Sequence, residues 1–243
     1  LAFGMGLRRG LSGPVIIFLA SGVILAALMV AFVLIFLLMQ TSPVELYREM
    51  VTRSLELVQE FYGSLGVEEA EQRSAQLQAA IEVLFGRLLP GIMVVAIIIQ
   101  SWFNYVVIGA VFRRLRYQVP ELPPFARWQL PPYAVWVYLA GFTASWVGVT
   151  RELPLLDQIG GNIMFFMLFA FTVNGLSFAY FFLRRWRLNK LVAGLILTAA
   201  TFNSLLSQLL FLAGMFESVL QYRQLVVQRD RESPQHPAGR DQR

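Results

Sequence analysis

Hydrophobic and polar positions separate along this chain into long blocks. Pro14–Gln40, Gly91–Phe112, Tyr133–Thr150, Gln158–Leu183 and Leu191–Phe216 contain no Asp, Glu, Lys, Arg or His. Each runs for about 18 to 27 residues, and about 20 helical residues cross a hydrocarbon core of ~30 Å. A backbone in lipid must satisfy its own hydrogen bonds, so these blocks predict helices. The fold class that follows is all-α: a polytopic transmembrane bundle of about five spans, near 14–40, 88–112, 132–150, 158–183 and 191–216. The whole of 1–230 reads as a single transmembrane domain, and 231–243 as a disordered polar tail.

The pattern changes between the first two blocks. Ser42, Pro43 and Glu45 have the order of a helix start: a serine cap, proline in the first turn and a glutamate that can reach back to the cap. Val44, Tyr47, Val51, Leu55, Val58 and Tyr62 then recur at every third or fourth position, one apolar stripe on an otherwise polar helix. Glu49 and Arg53 face water as an i,i+4 pair, and Gly63 and Gly66 mark the end. A second stripe through Ala70, Leu77, Ile81, Leu84 and Leu88 leads into the next apolar block. Residues 41–87 are therefore expected to form an amphipathic helical hairpin outside the membrane. It could pack on itself, lie on the bilayer, or act as a lid over a cavity.

Five of the chain's 11 prolines fall between Pro120 and Pro132. Pro120, Pro123 and Pro124 suppress helix and favour extended backbone. Pro131 and Pro132 stop helix and pre-set the first turn of the next span. Arg127, Trp128 and Trp136 sit where a headgroup layer suits them, so they are candidate interface anchors.

Charge then gives the chain a direction. Of 20 basic residues, Lys190 is the one lysine and the rest are arginine. Arg113, Arg114, Arg116 and Arg127 cluster in the proline connector, and four basic residues fill "RRWRLNK" at Arg184–Lys190. The segment 41–87 instead holds eight glutamates against four arginines. Basic and non-basic loops alternate, which places 113–131 and 184–190 in the cytoplasm and 41–87 outside it. The end of the chain strains this scheme. One crossing by Leu191–Phe216 puts Arg223, Arg229 and Arg231 outside. A re-entrant break near Asn203-Ser204 would bring them back, but leaves two half-helices too short to span alone. The reading adopted is one crossing followed by an amphipathic helix around Glu217–Gln228.

Candidate chemistry is sparse. The chain has no cysteine, so thiol nucleophiles, disulfides and zinc–thiolate sites are excluded. Its single histidine, His236, lies in the polar tail and offers no metal cluster or catalytic triad. No block carries a carboxylate pair, and no Gly-rich phosphate loop is present. An enzyme is not expected, nor a bound metal or cofactor, and nothing suggests a nucleic-acid partner. The absence of Asp or Glu within the blocks also argues against a proton-driven pump. What remains is uncharged: Gln100 and Asn104 on one block, Asn174 and Ser177 on another, Thr201 and Gln208 on the last. These six could converge on an uncharged ligand, or simply bond helix to helix. Gly22 with Ala26, and Ala27 with Ala31, have the spacing of a close helix contact.

The connector "PPFARWQLPPYAVWVYLAG", then "NIMFFMLFAFTVNGLSFAYFFLRRW", then a last helix ending "LAGMFESVLQYR", resemble the YybS-like family of bacterial predicted membrane proteins. That family looks related to the substrate-binding S components of energy-coupling factor transporters. The resemblance implies a multi-pass protein of the bacterial inner membrane that handles a small molecule. It further implies work beside a separate coupling membrane subunit and ATPases. The alternative is a membrane scaffold docking a protein partner through the external hairpin or the C-terminal tail. By the same resemblance, further helices are expected ahead of Leu1, and "LAFGMGL" followed by Arg8-Arg9 reads as the end of one.

Overall fold

A computed structural model describes residues 2–64, 76, 77, 79, 81 and 83–232. Regular structure among them is helical: α1 (Ala2–Arg8), α2 (Gly13–Met39), α3 (Pro43–Ser64), α4 (Leu89–Arg114), α5 (Ala134–Thr150), α6 (Pro154–Arg185), α7 (Lys190–Phe202), α8 (Ser204–Leu220) and α9 (Tyr222–Glu232). A π turn at Val83–Arg87 leads into α4, and a 3-10 turn at Phe125–Arg127 interrupts the proline connector. By length and composition α2, α4 and α6 can each cross a membrane, and α7 with α8 can make a fourth span if the bent pair is one. At 17 residues, α5 is shorter than these.

The expected start of α3 is present. The Glu45 amide donates to Ser42 Oγ at 3.1 Å, and the Ser42 amide donates to Glu45 Oε2 at 3.3 Å, so two otherwise orphaned donors are satisfied reciprocally. Val44, Val51 and Leu55 of its stripe are half-buried, while Tyr47 and Val58 are exposed. Most of the expected second half of the hairpin, including Ala70, lies outside the described residues, as does the tail 233–243.

The chain divides into two units. One comprises Leu1–Leu122 with Gly141–Phe166, and the other Pro123–Ala140 with Met167–Arg243. In the first, α2 packs on α1 and α4. Only the beginning of α2 is buried, through Gly13, Ile16, Ala20 and Ser21. Gly22 has open space where a side chain would stand, so its small-residue spacing is unused among the described residues. Glycines count elsewhere. A Cβ on Gly148 would overlap the backbone of Asp157, and one on Gly160 the backbone of Ser145. The first turns of α6 thus lie directly against the end of α5. The reversal between them uses Glu152 at φ 56°, and the Leu153 amide closes it on the Gly148 carbonyl at 2.8 Å.

In the second unit Tyr138, Phe171 and Phe211 form a three-ring cluster with centroids 5.7 to 6.1 Å apart. Beside it α6 and α8 approach to backbone contact. A Cβ on Gly175 would meet the Leu210 carbonyl, and one on Gly214 the Phe171 carbonyl.

The block Leu191–Phe216 is not the single straight helix expected of it. It is bent by 107° between α7 and α8. Asn203 turns extended (φ −94°, ψ 121°), and its Oδ1 accepts the Leu206 amide at 3.1 Å as the cap of a new helix. An apolar run hides such a break because hydropathy averages over it, whereas a capping side chain acts at one residue. The following helix also starts later than expected, at Tyr222, after Gln221 takes φ 48°. The bent pair leaves from and returns to one end of α6. Lys190 begins α7 shortly after α6 ends at Arg185, and Arg223, just past α8, bonds Ser177 near that same end.

Candidate functional site

A dense polar cluster among the described residues surrounds a side chain that the sequence places in the amphipathic helix around Glu217–Gln228. Arg223 stands in the first turn of α9, placed there by the left-handed Gln221. Its Nε donates to Glu217 Oε1 at 2.9 Å. Nη1 donates to the Ala126 carbonyl at 2.9 Å and to Ser177 Oγ at 2.8 Å. Nη2 donates to the Trp128 carbonyl at 2.8 Å and to Asn174 Oδ1 at 3.1 Å. A guanidinium has five N–H donors, and every one has an acceptor here. The Phe178 ring covers one face, its centroid 6.0 Å from Cζ.

The pair is dry. Side-chain exposure is 6% for Arg223 and 0% for Glu217. Glu217 Oε1 also accepts the Arg223 amide at 3.2 Å and Gln129 Nε2 at 3.4 Å, while Oε2 is buried without a partner. Ser177 Oγ lies within bonding reach of the Phe125 and Trp128 carbonyls at 2.6 and 2.8 Å. Asn174 Nδ2 donates to the Gly214 carbonyl at 2.7 Å, and its Oδ1 accepts the Leu130 amide at 3.4 Å. The connector's carbonyls point inward because the 3-10 turn and Pro123-Pro124 curl it around the cation. The Trp128 indole donates to the Pro123 carbonyl at 2.9 Å and its ring meets Phe125 edge-on at 5.4 Å.

A second arginine organises the other unit. Arg87 Nη2 donates to Asp157 Oδ1 at 2.5 Å and to Ser145 Oγ at 3.0 Å, and Ser145 donates to the same carboxylate oxygen at 2.8 Å. Asn162 stitches the start of α4 to α6: Nδ2 donates to the Arg87 carbonyl at 2.7 Å and Oδ1 accepts the Gly91 amide at 2.6 Å.

Of the six ligand candidates, Asn174 and Ser177 come together, with their polar atoms committed to Arg223 and to backbone. Thr201 and Gln208 are exposed on the bent pair, and Thr201 bonds back to the Thr198 carbonyl at 2.7 Å. In the first unit Gln100 is exposed and Asn104 half-buried. An apolar recess there, lined by Leu7, Tyr105, Ile108, Gly109, Phe112 and Val119, measures about 10 Å³, room for a single water at most. Among the anchors, Trp136 is 73% exposed, Arg127 is exposed and Trp128 half-buried.

Glu217 corrects the expectation that no carboxylate is buried. It follows immediately on the last uncharged block, and charge counting by blocks stopped one residue short of it. The signal for the pair was the spacing Glu217…Arg223 across a helix end in "ESVLQYR". For Asp157 it was a lone acid in the first turn of a long apolar helix.

A profile described as "Predicted membrane protein (DUF2232)" matches residues 1–218. The chain belongs to the DUF2232 family. Family membership and the apolar helices agree on a protein that sits in a lipid bilayer. The DUF2232 match includes Glu217 and stops before Arg223. Neither the curated proteins nor the solved structures contain a match to this chain.

Proposed function

We propose that this DUF2232 protein is a multi-pass component of the bacterial inner membrane, of YybS-like type, that binds or helps move a small, largely uncharged molecule. The carrying observation is the 107° break at Asn203. A helix interrupted at membrane depth frees backbone groups that lipid cannot satisfy, and such breaks persist where protein or a watery cavity meets them. Discontinuous helices of this kind form the binding sites of many transporters. The break carries Thr201, Ser204 and Gln208, all exposed in this chain. On this reading α7–α8 is a re-entrant hairpin entering from the cytoplasm, and the tail stays on the connector's side. Arg223 at the connector's carbonyls supports that placement, and it removes the conflict with the positive-inside rule for Arg229 and Arg231. The likeness to energy-coupling factor S components extends the proposal to a coupling subunit and ATPases as partners.

The chain lacks cysteine, so single cysteines report cleanly. Cysteines replacing Thr201, Ser204 and Gln208 should react with an impermeant maleimide from the cytoplasmic face only, as should one at Gln228. Labelling of position 228 from outside would overturn the hairpin, and inert positions 201, 204 and 208 would overturn the cavity. Native mass spectrometry of the protein released from nanodiscs should show a bound small molecule.

A second reading, a membrane scaffold, draws on α2, where nothing in its most apolar window is buried. It expects crosslinkers at Tyr47 or Leu77 to capture one stable protein, with no small molecule retained.

A further inference from the structure

We propose that Arg223 is a clasp through which the tail helix α9 locks the proline-rich connector to the returning arm of the bent helix pair, so that connector and hairpin open together. Three segments meet the one guanidinium that α9 presents: the connector through Ala126 and Trp128, α6 through Asn174 and Ser177, and α8 through Glu217. Without that cation, three carbonyl or amide oxygens and a carboxylate would face one another across a dry space. Other contacts of the connector run to the same neighbours. Gln129 reaches Glu217 and Gln224 at 3.4 and 3.0 Å, and Leu130 reaches Asn174 at 3.4 Å. Ser177 Oγ also reaches the Phe125 and Trp128 carbonyls at 2.6 and 2.8 Å, and Phe125 lies against Tyr180 with centroids 5.7 Å apart.

Geometry makes the clasp specific to arginine. The acceptors are spread around a planar fork, and a lysine ammonium has three donors at one point. The clasp is also shared. Removing Arg223 leaves Glu217 in a dry site without its cation, and the end of α8 loses its tie to the connector. The position of α8 sets the angle at Asn203. Loosening at the connector therefore propagates to the hairpin because the guanidinium that holds the connector also holds the end of α8.

The test uses the full chain in lipid nanodiscs and follows amide exchange together with cysteine labelling. R223K should raise exchange across 125–130 roughly ten-fold or more, the ratio implied by losing a charge-assisted hydrogen bond, and leave α4 unchanged. Maleimide labelling of a cysteine at Gln208 should accelerate in the same variant. Because single charge loss can prevent folding, the paired replacement E217M/R223M is the second arm. A buried ion pair exchanged for apolar residues of similar volume is often tolerated, so this protein should fold with a loose connector and a faster Gln208 cysteine. S177A, which removes one arm of the fork, should give a smaller rise in exchange over the same residues. Unchanged exchange over 125–130 in folded R223K or in the paired variant overturns the clasp. A faster connector with an unchanged Gln208 cysteine overturns the coupling, and loss of protection spread evenly through α4 reduces Arg223 to a general stabiliser.

Discussion

Two arginines organise the polar chemistry of this protein in contrasting ways. Arg87 is 40% exposed and its partner Asp157 20%, and Arg87 Nε is left without an acceptor. Arg223 and Glu217 are 6% and 0% exposed, and the guanidinium is fully satisfied. Charges near water can trade a lost partner for solvent, so the Arg87 cluster resembles an adjustable tether between the π turn, α5 and α6. Charges out of water cannot make that trade. Desolvation of the Arg223 pair is offset by the fully bonded guanidinium, with Glu217 Oε2 left without a partner, and the arrangement tolerates little change. The first cluster holds elements near one another, whereas the second dictates one geometry.

The largest expected effect tests this contrast directly. R223A should destabilise the folded protein by about 3–5 kcal/mol, the cost of an uncompensated buried charge, read as a lower midpoint in denaturant titration of reconstituted protein. R223K should fall close behind, because keeping the charge does not rebuild the fork. Next comes backbone proximity. G214A forces apart α6 and α8 at the Phe171 carbonyl and should cost about 1–3 kcal/mol, visible in the same titration. D157N should cost less than either charge loss at Arg223, about 1–2 kcal/mol, since solvent replaces part of what is lost. An equal loss for D157N and R223A would erase the distinction between the two clusters. Smallest is N203A, where removing the cap of α8 should cost about 1 kcal/mol and raise exchange of the Leu206 amide.

Block hydropathy located the long helices to within a few residues, and the cap at Ser42 was readable because its partners are three residues apart. The bend at Asn203 was visible as an option, but composition weighs a run as a whole and a helix end is decided at one side chain. The candidate site was legible in a different sense. Asn174 and Ser177 stand out as polar residues inside an apolar helix and read as the lining of a ligand cavity, whereas the guanidinium they bond belongs to a residue more than forty positions downstream. Nothing in periodicity links Arg223 to the carbonyls of Ala126 and Trp128, because a backbone acceptor carries no residue identity. Glu217 borders an uncharged block, where acids usually reach water, so its burial carries no mark in the sequence pattern.

The break at Asn203 bears on how the protein is made. With 13 and 17 residues, neither α7 nor α8 alone reaches the ~20 residues needed to cross the bilayer. Insertion machinery that samples one segment at a time would find each of them marginal. The pair becomes a committed membrane element only when both arms are available, and the cation that fastens the second arm is synthesised after it. If Arg223 is the clasp proposed above, its contacts with the connector form only after α7 and α8 have been made, because Arg223 follows both in the chain.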